Sequence, residues 1–185
     1  MTLDEVTVVI VPGLRDHVSE HWQTYLQAAL PRAVTVPPLE HDKLSRAARV
    51  QALDDVLQGV AGPVILAAHS AGCMIVAHWA QGHRRPVHGA LLATPADLET
   101  PLPPAYPTLD ALRENGWLPI PRMPLPFPAI VGASCNDPLG DYTRIQGLAH
   151  DWDSQLVGLG TVGHLNPAAG YGPWQQARAL IEQLL

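Results

Sequence analysis

At 185 residues the chain has the length of one domain, and a hydrophobic fraction of 47% is enough for a sizeable core. Eleven basic against seventeen acidic side chains leave a net charge of -6, and Lys43 is the sole lysine; this excludes the clustered basic surface that nucleic-acid binding requires. The 19 prolines exclude a continuous helical bundle or coiled coil, because helix interiors reject proline.

Val6 to Val11 (VTVVIV) is a β-branched run closed by Pro12-Gly13, which predicts a buried strand. Ser19 to Leu30 follows as a helix, with Trp22, Leu26, Ala29 and Leu30 on one face and Pro31 beyond its end. Ala33 to Val36 reads as a short second strand stopped by Pro37-Pro38, and Leu44, Ala47, Leu53, Leu57 and Val60 mark a longer helix. Val64 to Ala68 is the third strand, Ala71 to Gln81 the next helix, and Val87 to Ala93 the fourth strand. Between Pro95 and Pro128 the pattern breaks. Ten of the 19 prolines fall in those 34 residues, which predicts a long connection with at most one short helix near Leu109 to Asn115. Regularity returns with strand Ala129 to Ala133, a helix near Tyr142 to Ala149, strand Gln155 to Leu159 and a last helix from Trp174 to Leu185.

Six strands mostly followed by helices predict a doubly wound, parallel α/β sheet. The strands are apolar almost throughout, as expected when both faces are buried. The expected domain organisation is one domain over 1–185 with a proline-rich loop at 95–128. Met1 to Glu5 carries two acids and no basic stretch, so no signal peptide is read. No apolar run approaches the roughly 18 residues needed to span a bilayer. Cys73 and Cys135 are too few and too far apart for a disulfide framework or zinc site, and are expected as buried free thiols. A cytoplasmic compartment is the resulting expectation.

In such sheets the chemistry lies just past the carboxyl ends of the strands. After the third strand stands Ala68-His69-Ser70-Ala71-Gly72, a serine between small residues at a strand-to-helix junction. That is the arrangement of a nucleophile elbow, where larger neighbours would collide with adjacent strands. A serine also suits a helix N-cap, so the pentapeptide alone leaves both readings open. A serine nucleophile needs a base, and the base an orienting acid. After the fifth strand comes Asp137 in Ser-Cys-Asn-Asp-Pro, and after the sixth comes His164 in Gly-His-Leu-Asn, in the order serine, acid, histidine. Asp141 and Asp97 are the rival acids. His69 is expected to point away from Ser70. Two N–H donors are needed for an oxyanion; the amide of Ala71 is one candidate and that of Leu14, in the Pro12-Gly13 loop, the other. A competing pattern is His17-Val18-Ser19-Glu20-His21, which matches H-x-x-E-H and would bind zinc through His17 and His21 with Glu20 as base. No third ligand follows it, so no metal and no cofactor is expected.

With these residues in place, the chain resembles the small α/β-hydrolases of the YdeN-like serine hydrolase family, which includes the retinoblastoma-binding-protein-nine type of esterase. The resemblance rests on VIVPGLRDHVSEHW (9–22), AAHSAGC (67–73), GASCNDP (132–138) and GHLNPAAGYGPW (163–174). It implies Ser70 as nucleophile, Asp137 as acid, His164 as base and the Leu14 loop as part of the oxyanion hole. It also implies a minimal six-stranded parallel sheet of order 2-1-3-4-5-6 with helices on both faces and no large cap domain. Ala68, where glycine is commoner, is the one departure. The expected function is hydrolysis of small-molecule carboxylic esters through an acyl-enzyme; an amidase or thioesterase would use the same triad. The alternatives are a dormant hydrolase serving as a protein-interaction module, and the zinc hydrolase above. The modest charge is compatible with a homodimer. The proline-rich loop is expected to wall the site, in place of a cap.

Overall fold

The apolar runs form six strands in the computed structural model, which describes all 185 residues: β1 (Thr7–Val11), β2 (Ala33–Thr35), β3 (Val64–His69), β4 (Gly89–Ala93), β5 (Ala129–Ala133) and β6 (Gln155–Gly158). The helices between and after them are α1 (Trp22–Ala29), α2 (Arg46–Gly59), α3 (Ala71–Gly82), α4 (Leu109–Glu114), α5 (Tyr142–Asp151) and α6 (Gln176–Glu182). Every neighbouring pair of strands is parallel, and the order is β2-β1-β3-β4-β5-β6, as the resemblance implied. There is no large cap. No helix is long and apolar enough to cross a membrane.

Alternation along the strands feeds two cores at once. Val9, Val11, Leu66, Ala68, Leu92 and Val131 face the larger core, which Met74, Trp79, Leu53 and Leu57 complete from α3 and α2. Val8, Ile10, Ile65, Ala67, Leu91 and Ile130 face the other, against Trp22 and Leu26 of α1 and Leu180 and Ile181 of α6. A strand buried on both sides has no polar face, which is why β1, β3, β4 and β5 read as unbroken apolar runs.

Element ends differ from expectation where side chains compete with the backbone. α1 starts at Trp22 rather than Ser19 because His21 is its N-cap, its Nδ1 accepting from Gln23 N–H at 3.2 Å. β4 starts at Gly89, after Pro86, rather than at Val87. The last helix is shorter than predicted, and a 3-10 turn at Pro167–Ala169 precedes it. Cys73 is buried, but Cys135 is exposed, contrary to expectation, because it lies in the turn beyond β5 rather than in the strand.

The proline-rich connection is irregular but pinned. Trp117 Nε1–H donates to Leu44 O at 2.7 Å, Trp152 Nε1–H to Pro121 O at 2.8 Å, and Leu125 N–H to Trp152 O at 3.0 Å. Leu112, Trp117, Ile120, Leu125 and Phe127 of this segment are part of the larger core. His78 of α3 adds a polar tie, its Nε2–H donating to Trp117 O at 3.0 Å. Burial pushes its pKa down from 6.5 to about 4, the Trp117 carbonyl opposing and the Arg46 charge adding to the fall. Between these values the unfolded chain binds the proton and the folded chain does not. Stability held above pH 6.5 is therefore lost as pH falls toward 4. His78→Gln is expected to reduce the stability lost between pH 7 and pH 4 by on the order of 2–3 kcal/mol, read from urea unfolding at the two pH values.

Candidate active site

Ser70 is the single residue between the end of β3 and the start of α3, so the chain must reverse direction within it. It does so at φ 58°, ψ -128°, a conformation that costs an L-residue on the order of 1–3 kcal/mol. The turn is crowded. A Cβ on Gly72 would stand 2.3 Å from Val11 O and 2.8 Å from Pro12 O. Ala68, two residues before the serine, pairs with Val11 on one side and Leu92 on the other and is fully buried. A methyl group fits there, which explains the tolerated departure from glycine. Gly72→Ala should be far less benign: the obstructing atoms are backbone, and the expected cost is about 3 kcal/mol or more, with loss of activity, measured by thermal unfolding.

Past β5 and β6 the remaining two side chains reach Ser70. His164 Nδ1 lies 2.8 Å from Asp137 Oδ2 and 3.0 Å from Oδ1, and His164 Nε2 lies 2.8 Å from Ser70 Oγ. A carboxylate only accepts, so Nδ1 carries the proton, and Nε2 is free to accept from the Ser70 hydroxyl. Asp137 receives a further bond from Leu139 N–H at 2.8 Å. The side chains of His164 and Asp137 are 7% and 2% exposed, so the pair works largely out of water. The rival acids are elsewhere. Asp141 caps α5 through Thr143 N–H and Arg144 N–H. Asp97 is ion-paired with Arg144. Burial alone would raise its pKa, but Arg144, Glu99 N–H and the Thr100 hydroxyl hold the carboxyl below its usual value.

Three residues to which the sequence assigned no role at the site, His69 among them, hold this line in place. His69 Nε2–H donates to the carbonyl of His164 at 2.8 Å, and its ring lies 4.8 Å from the His164 ring and 4.5 Å from that of His21. Burial, then repulsion from His164, keeps His69 neutral with a pKa well below the usual value, and the same causes bring His21 to about 4. Asn136 Oδ1 accepts from Gly163 N–H at 2.7 Å and from the Ser134 hydroxyl at 3.0 Å, tying the loop of His164 to that of Asp137. Arg49, buried in α2, donates to Lys43 O at 2.8 Å and Leu14 O at 3.2 Å and is ion-paired with Asp16.

Arg49 thereby clamps the loop between β1 and α1 beside the serine. A Cβ on Gly13 would lie 3.2 Å from Ser70 Cβ, so the loop approaches the serine as closely as a backbone without a side chain allows. The N–H of Leu14 has no backbone acceptor. Ala71 opens α3, where helical N–H groups lack intrahelical partners. Both residues line a cleft of about 380 Å³ that also includes Ser70 and His164. Its apolar wall comes largely from the proline-rich segment, through Leu98, Leu102 and Tyr106, joined by Leu139. The expected wall is present.

The H-x-x-E-H segment does not assemble as a helical metal site. Residues 17–20 precede α1, His17 and Glu20 are exposed, and the Nδ1 of buried His21 is engaged by Gln23 N–H. No group of three His, Cys, Asp or Glu side chains is placed to hold a metal ion. The i,i+4 spacing fails because His21 ends the loop as a cap instead of continuing a helix backwards to His17.

A family model described as serine hydrolase matches residues 8–183. Among solved structures, a YdeN-like hydrolase from Pectobacterium atrosepticum is 31% identical, over 98% of this chain and 93% of its own, with a TM-score of 0.80. The ydeN gene product of B. subtilis is 17% identical over 96% of this chain and 97% of its own, with a TM-score of 0.75. A thermophilic esterase from Thermogutta terrifontis is 16% identical over 97% and 89%, with a TM-score of 0.68. At those lower identities the likeness is one of fold. No curated protein matches the chain.

Proposed function

We infer that this chain, which belongs to the serine hydrolase family, is a carboxylic-ester hydrolase working through Ser70, His164 and Asp137 and an acyl-enzyme. The observation that carries this reading is the unbroken hydrogen-bonded line from Ser70 Oγ through both nitrogens of His164 to Asp137, at the floor of a cleft with an apolar wall. Ser70 Oγ attacks the ester carbonyl as His164 Nε2 takes its proton. Asp137 keeps the proton on Nδ1 and stabilises the imidazolium that forms. The N–H groups of Ala71 and Leu14 meet the oxyanion. His164 then gives the proton to the departing alcohol, activates a water on the acyl-enzyme, and returns the serine as the acid leaves. The apolar wall suits the acyl chain of a small ester, and the shared fold of the Thermogutta esterase is consistent with that choice.

A fluorophosphonate probe tests the assignment directly. Wild-type protein should be labelled and Ser70→Ala should not; equal labelling of the two would remove Ser70 from the role of nucleophile. Turnover of short p-nitrophenyl esters by the wild type is expected alongside.

A further inference from the structure

One positively charged side chain lining the cleft has no carboxylate partner, although the chain as a whole is acidic. Arg15 and Asp16 are the formally charged residues among those lining it, four histidines aside. Asp16 is ion-paired with buried Arg49. Of the histidines, His21 and His69 are held neutral. Five of the ten arginines, Arg49, Arg113, Arg122, Arg144 and Arg178, are paired with carboxylates; Arg15 is exposed, has no ion pair, and is the one arginine that lines the cleft.

Its position is nevertheless defined. The guanidinium carbon stands 5.1 Å from the centre of the Tyr106 ring, a cation–π distance. Tyr106 comes from the proline-rich segment and Arg15 from the loop after β1, so the contact bridges the two walls of the cleft mouth. The contact leaves the N–H fork of the guanidinium without a carboxylate partner. That fork matches the two oxygens of a carboxylate. Gly13, two residues before Arg15, lies against Ser70. Two residues span at most about 7 Å, so an arginine there reaches a group several bonds from a carbonyl held at Ser70.

We propose that the cleft takes esters bearing a carboxylate remote from the scissile bond, and that Arg15 is the residue that selects it. This rests on the hydrolase reading of the same site. The carboxylate could sit at the far end of the acyl chain or on the alcohol, and the two arms of the test separate these.

In the acyl arm, kcat/KM is measured for mono-p-nitrophenyl adipate and for its neutral adipamate counterpart. In the alcohol arm, the hexanoate esters of p-hydroxybenzoate and p-hydroxybenzamide are compared. Each arm is read as the ratio of anionic to neutral substrate, so any loss of activity common to both cancels. In at least one arm the ratio should fall about fivefold in Arg15→Gln, reverse further in Arg15→Glu, and recover in Arg15→Lys. The wild-type ratio in that arm should also fall between about 20 mM and about 500 mM salt, while that of Arg15→Gln stays flat. If neither ratio depends on residue 15 while the neutral esters are turned over, the inference is overturned and the hydrolase reading stands. If the wild type turns over none of the four esters and takes no fluorophosphonate, the hydrolase reading fails and this inference with it.

Discussion

Ser70→Ala is expected to lower kcat on the order of 10⁵-fold on any ester the wild type accepts, with the fold intact. The proposed reaction leaves nothing to replace the hydroxyl: His164 Nε2 would face a methyl group, and only the cleft and its N–H donors would remain to assist water. A second substitution at the same position separates chemistry from stability. Ser70 is held at φ 58°, where a side chain is strained and glycine is not. Ser70→Gly should be as inactive as Ser70→Ala, yet more stable than it by about 1–2 kcal/mol in urea unfolding. A residual activity in Ser70→Ala within tenfold of wild type would exclude the acyl-enzyme route. Equal stability of the two variants would mean that the strain in the turn is no more than glycine's extra unfolded-state entropy, roughly 0.4–1 kcal/mol.

Asp137→Asn is expected to lower kcat about 10⁴-fold while changing stability little. The geometry gives the reason. Asp137 Oδ1 accepts from Leu139 N–H, so an asparagine would keep its oxygen there and place its amide nitrogen where Oδ2 now faces His164 Nδ1. An N–H at that point donates, and Nδ1 must then accept. The imidazole proton moves to Nε2, where it meets the Ser70 hydroxyl instead of receiving from it. The base is thus present in the wrong tautomer. The rival carboxylates provide the contrast. Asp141→Ala should cost about 1 kcal/mol through the lost N-cap of α5, with kcat nearly unchanged. Asp97→Asn should weaken its pairing with Arg144 rather than the chemistry. Steady-state kcat for the three variants decides the assignment: a large fall at Asp97 or Asp141, with none at Asp137, would move the acid.

The readability of the site followed the range of the interactions involved. Ser70, Asp137 and His164 stand out as candidates because each lies next to a strand end, and strand ends are marked by short local signals: small residues around the serine, Asn-Asp-Pro after β5, Gly-His after β6. The supporting residues carry no such signal. His69 acts on the backbone of a residue 95 positions away, Arg49 on Leu14 at 35, and Asn136 on Gly163 at 27. Their partners are carbonyl and N–H groups, which every residue possesses, so residue type at the far end says nothing. The zinc-like spacing at 17–21, set aside for want of a third ligand, illustrates the converse. The residue types were right, but the helix that would have given the spacing meaning starts at Trp22.

By itself the sequence determined the strands, the burial of β1, β3, β4 and β5 on both faces, the absence of a helical bundle and which side chains stand just past the strand ends, because these depend on local apolar patterning and turn chemistry. The abundance of proline was likewise enough to show that residues 95–128 could not be regular. Only the tertiary structure decided what that irregular segment does. Its Trp117 is anchored to the carbonyl of Leu44, its Pro121 carbonyl accepts from Trp152, its apolar side chains complete the larger core, and Leu98, Leu102 and Tyr106 become a wall of the cleft. The charge at the cleft mouth was decided there too. Which arginine is neutralised depends on which carboxylate folds beside it, and folding gives Asp16 to Arg49 while leaving Arg15 over the Tyr106 ring.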